Sequence, residues 1–106
     1  MSDPADLNIA EVPHESGELR YRFARNLSQD GSRWVMHGLF QEYHQNGQLI
    51  SEGMYEHGVE QGLWRDYFPN GQLAAKGMYK DGKEVGEWHY WNEDGTPQLN
   101  PPNPRK

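Results

Sequence analysis

The chain has 106 residues, which is enough for one domain and not two. Only 34% of it is hydrophobic, against the usual share of about 45–50%, yet it holds four Trp, six Tyr and 12 Gly. A conventional two-layer aliphatic core is therefore excluded, cysteine chemistry is excluded because there is no Cys, and a net charge of -6 argues against nucleic acid or anionic lipid as the default partner.

The charge is unevenly placed along the chain. Residues 1–18 carry five carboxylates and no Lys or Arg, and include Pro4, Pro13 and Gly17. This segment shows no sustained periodicity and reads as an acidic flexible tail. No apolar segment marks the N-terminus as a secretory signal, and no run nears the length of a membrane helix, so a cytoplasmic setting is expected. Residues 19–33 are locally basic, with Arg20, Arg22, Arg25 and Arg33 against Asp30. Leu19, Tyr21 and Phe23 alternate with Arg20, Arg22 and Ala24, the period of a strand. A turn is expected near 28–31.

From Gly38 the chain repeats itself every 24 residues. The first unit reads GLFQEYHQNGQLISEGMYEHGVEQ, the second GLWRDYFPNGQLAAKGMYKDGKEV, and a truncated third GEWHYWNEDGTPQ. Gly38, Gly62 and Gly86 coincide, as do Phe40, Trp64 and Trp88, then Tyr43, Tyr67 and Trp91. Leu49 and Leu73, Gly53 and Gly77, Met54 and Met78, and Tyr55 and Tyr79 are also in register.

Asn46-Gly47, Asn70-Gly71 and Asp94-Gly95 have the composition of type I′ hairpin turns, in which both central residues take positive φ. His57-Gly58 and Asp81-Gly82 mark turns at the other end. Structural turn glycines are thus Gly47, Gly58, Gly71, Gly82 and Gly95. The short aromatic segments between turns suit strands at about 19–26, 33–44, 48–56, 62–68, 72–80 and 86–92. Phe40, Trp64 and Trp88 should point one way, and Tyr43, Tyr67 and Trp91 the other. Gly53 and Gly77 leave room for a ring to cross the backbone. The fold class is all-β: a single-layer antiparallel meander of stacked hairpins over residues 19–99. Residues 100–106, with three prolines, form a Pro-rich disordered tail.

The pattern G-x-W-x-x-Y-x-x-N-G-x-L followed by G-x-Y-x-x-G resembles the MORN repeat, and more closely the bacterial MORN-variant repeats of YwqK-type antitoxin proteins. The likeness covers about residues 38–95, with a weaker match from 19. It implies a non-enzymatic binding or scaffolding module whose partner is another protein, and for the YwqK-type subset a toxin.

Candidate chemistry is sparse. No histidine among His14, His37, His44, His57 and His89 recurs through the register. A metal site would need His37, His44 and Glu42 brought together by folding. Glu42 and Asp66 match in register and form a conceivable carboxylate pair. Neither arrangement has the spacing of a known metal or catalytic motif, so no cofactor, metal or catalytic residue is expected. Candidate partner-binding residues are Tyr43, Trp64, Tyr67, Trp88 and Trp91 from the aromatic rows, with Arg20 and Arg22 from the basic segment. The arginines could equally be covered by the acidic residues 1–18. Strand edges near 19–26 and 86–92 offer partner strands, or a homodimer, a place to pair. Two other functions fit parts of the pattern: a carbohydrate- or choline-binding aromatic module, and a membrane-associated scaffold.

Overall fold

The computed structural model describes residues 7–98. Seven strands form one antiparallel sheet in simple meander order: β1 (Asn8–Pro13), β2 (Leu19–Leu27), β3 (Trp34–Tyr43), β4 (Leu49–Glu56), β5 (Val59–Tyr67), β6 (Leu73–Lys80) and β7 (Lys83–Tyr90). The expected single-layer hairpin meander is the observed fold.

Strand β1 differs from the sequence reading. It lies inside the segment read as a flexible tail, and it pairs with β2 from Asn8↔Arg25 to Pro13↔Leu19. Strand β2 is therefore interior, and β1 is the N-terminal edge. Five of the six β1 residues are exposed, so it has no buried face to leave a hydrophobic alternation in the sequence. The backbone ladder holds it, with Arg25 Nε donating to Asn8 Oδ1 at 3.0 Å and Arg22 beside Glu11 at 3.7 Å. Pro13, which has no N–H to give, ends the edge. Residues 1–6 of the expected acidic tail, and the Pro-rich segment 100–106, lie outside the described residues.

The turns are of two kinds. His57-Gly58 and Asp81-Gly82 are two-residue loops with both φ values positive, at 51° and 86°, and 53° and 81°. These are the type I′ hairpins. The Asn-Gly turns are not. Asn46, Asn70 and Asp94 keep negative φ, and only the following glycine is left-handed. Gly47 N–H donates to His44 O and His44 N–H to Gln48 O, which is a three-residue loop closed by a type I turn and a bulge. The asparagine is used differently. Asn46 Oδ1 accepts the Gln48 N–H, while its Nδ2 donates to Pro69 O in the next turn. Asn70 repeats both bonds, to Gln72 and to Glu93 O. The side chain staples successive turns together, one repeat to the next.

Gly38, Gly62 and Gly86 also have positive φ, and they sit inside strands. Around the last two, three residues of one strand oppose a single residue of its neighbour: 62–64 opposite Gly53, and 86–88 opposite Gly77. These enlarged bulges swing Trp64 and Trp88 over the partner strand. A Cβ built on Gly53 or Gly77 would come within 2.1 Å of the indole Cδ2. We expect Gly53→Ala or Gly77→Ala to cost about 1–3 kcal/mol by forcing the ring out of place. In thermal melts that is a fall of about 4–8 °C for each kcal/mol. An unchanged melting temperature would show that the indole does not rest on the glycine.

Candidate protein-binding face

The two sides of the sheet are used differently. On one side a continuous row of rings crosses six strands. Tyr21 meets Phe40 at 5.9 Å between centroids, Phe40 meets Trp64 at 5.7 Å, Trp64 meets Tyr79 at 5.8 Å, and Tyr79 meets Trp88 at 5.2 Å. Tyr55 packs edge-on against both Phe40 and Trp64. Edge-to-face contacts of this kind add stability beyond the area they bury. Trp64 is only 5% exposed and gives its Nε1 proton to Met54 O at 3.2 Å. This ring face is covered by its own side chains.

Carboxylates flank the rings. Glu60 stands opposite Tyr55 and Glu84 opposite Tyr79. Burial, then the charge of Glu60, raises the Tyr55 hydroxyl above its ordinary value. Burial, then Glu84 and Glu60, pushes Tyr79 up to about 12. Burial also raises the carboxyl of Glu84. Asp66 accepts a 2.8 Å bond from the buried Ser51 hydroxyl.

The other side is open. From Ala75 onward strand β6 alternates: Ala75, Gly77 and Tyr79 are buried, while Lys76, Met78 and Lys80 face outward. Leu39, Met54, Leu63, Met78 and Val85 share this open side, each between 39% and 47% exposed. Leu39 pairs with Met54, and Leu63 pairs with Met78, which pairs with Val85; together they form an apolar row across β3–β7 that Gln61, the β5 partner of Met54, interrupts. Beside it runs a polar row, Gln41, Glu52, Arg65, Lys76 and His89, again paired strand to strand.

The residues singled out from sequence are distributed as follows. Trp64 belongs to the core and is not available to a partner. Tyr43 and Tyr67 are half-buried, opposite Leu49 and Leu73. Trp88 ends the ring row, and with Trp91, Tyr90, Pro97 and Gln98 it lines a cleft of about 360 Å³. Residues 91–98 fold back there, with a Trp91↔Pro97 bridge and Gln98 N–H donating to Tyr90 O. Arg20 lies 3.9 Å from Glu42 and over the Tyr21 ring, and Arg22 lies beside Glu11 of β1. The arginines are thus engaged within the chain. All five expected turn glycines have positive φ.

Folding does not assemble the conceivable site of His37, His44 and Glu42. His37 instead meets His57, with ring centroids 4.8 Å apart, and its Nδ1 accepts the His57 N–H. Glu42 and Asp66 sit on strands two apart, about 10 Å by strand spacing, and have different partners. The open apolar row was missed in the sequence, although Met54 and Met78 were in register. Each methionine follows a glycine of the ring face, and strand alternation then places it on the opposite side.

Residues 36–57 and 60–81 match the family model of the MORN repeat variant. These two segments, 44 of the 106 residues, are similar to MORN-type repeats. Each matched segment spans most of one hairpin, β3–β4 and β5–β6. MORN repeats are in general binding and scaffolding units without catalytic function. No curated protein and no solved structure matched the chain. Among the described residues no helix is long and apolar enough to cross a membrane.

Tyr79 offers a check on the ring face. Its folded pKa is raised, so its contribution to stability is complete below the unfolded value near 10 and is lost as pH rises through about 12. Ultraviolet titration should show late tyrosine ionisation, to which Tyr55 also contributes, and the latest step should vanish in Tyr79→Phe.

Proposed function

We propose that the chain is a non-catalytic protein-binding module that neutralises a partner by occluding it, of the antitoxin or immunity kind. The observation that carries the binding reading is the open row Leu39, Met54, Leu63, Met78 and Val85, apolar and exposed on a sheet whose other face covers itself. An exposed apolar strip with a polar margin is the make-up of a protein-binding surface. The antitoxin step rests on the likeness of the repeats to YwqK-type proteins. A cytoplasmic setting belongs to the same proposal. Binding to nucleic acid or to a membrane is not part of it.

The carbohydrate or choline reading is less well supported, because most ring-face aromatics are spent on one another and Trp64 is buried. Sugar stacking needs a free ring face.

The test is capture of a partner from the native host, followed by identification and co-expression. The partner expressed alone should arrest growth, and the wild-type chain should relieve the arrest. Leu63→Ser with Met78→Ser should weaken capture by about tenfold or more while leaving the melting temperature nearly unchanged. Undiminished capture by that variant would remove the open face from the reading. A partner harmless on its own would remove the antitoxin step and leave the binding module.

A further inference from the structure

The two complete repeats carry opposite charges at equivalent places on the open face. On β4 the outward residues are Glu52, Met54 and Glu56, and 24 positions later on β6 they are Lys76, Met78 and Lys80. Each methionine is bracketed by carboxylates in one repeat and by ammonium groups in the next. Strands β4 and β6 both run antiparallel to β5, so they point the same way. Glu52 and Lys76 both pair with Arg65, which sets them at one height along the strands.

We propose that this face self-associates: two copies pack open face to open face about a two-fold axis parallel to the strands and centred on β5. The axis carries β4 of one copy onto β6 of the other at unchanged height. Glu52 then meets Lys76 and Glu56 meets Lys80, each twice. Met54 meets Met78, Leu39 meets Val85, and Leu63 meets its own copy. Arg65 falls on the axis beside its own copy, and each Arg65 has Glu52 as its cross-strand neighbour. The ion pairs of the described residues, Arg20–Glu42 and Arg22–Glu11, use none of the four swapped charges. Stacked sheets sit about 10 Å apart and keep their strand directions within about 30° of each other, a range that includes the parallel central strands this axis produces.

Five strands at about 4.8 Å and five residues at about 3.4 Å give a patch of about 24 by 17 Å. That is about 800 Å² of flat area over both copies before side-chain relief, below the roughly 1,200 Å² of stable interfaces and in the range of transient ones. The dimer is therefore weak and reversible. The inference rests on the reading of the open face as the docking surface. It adds that a second copy occupies this face until a partner displaces it.

Sedimentation equilibrium on the full chain tests this. The wild type should dimerise, and salt at about 1 M should weaken the dimer by screening. Glu52→Lys with Glu56→Lys makes the face positive and should leave monomers at the same concentration. Lys76→Glu with Lys80→Glu should do the same. Mixing those two variants should restore a dimer that contains one of each, and the fourfold swap should restore the homodimer. A wild type monomeric throughout the micromolar range overturns the proposal. So does a dimer that every variant retains, which would be held by sheet edges. A monomeric wild type that still captures its partner through Leu63 and Met78 leaves the binding function standing.

Discussion

An indole laid across a glycine is the contact on which this sheet depends. Trp64 covers Gly53 and Trp88 covers Gly77, and neither place has room for a Cβ. A seven-stranded single layer with few aliphatic side chains cannot bury a core between two sheets. It buries rings against its own backbone instead. The positive-φ glycines at 62 and 86 supply the bulges that bring each indole over, so three positions of every repeat serve one contact. The tyrosines at 55 and 79 then close the gaps edge-on.

Because the rings consume one face, the two faces cannot be equivalent. Antiparallel sheets commonly have one packed side and one solvated side, and the solvated side is normally polar. Here it holds five exposed apolar residues. Partner-binding capacity follows from that asymmetry. The side rich in aromatic residues, the more suggestive one in the sequence, is the side least available. Charge follows the same division. The total of -6 hides carboxylates beside the rings and an open face split between an acidic β4 and a basic β6.

Much of the fold was legible because its determinants are local. Turn glycines, the 24-residue period and the alternation of large residues all act within a dozen positions. The glycine pockets at 53 and 77 were legible as well, since a small residue recurring beside aromatics marks a close approach. Strand β1 was not, because five of its six residues are exposed and its stability comes from a ladder with β2 and from Arg22 and Arg25. The turn class at Asn46 was misread because Asn-Gly fits two geometries. Only the loop length, set by the register of β3 on β4, separates them.

The sequence by itself determined that this is a hairpin-repeat sheet with rings in place of an aliphatic core. That information lies in composition and spacing, which the backbone reads locally. Tertiary structure decided which face the rings close, that Arg20 and Arg22 are engaged with Glu42 and Glu11, and that Met54 and Met78 stand among opposite charges on an open surface. These depend on register between strands, and a single bulge changes what every later side chain meets.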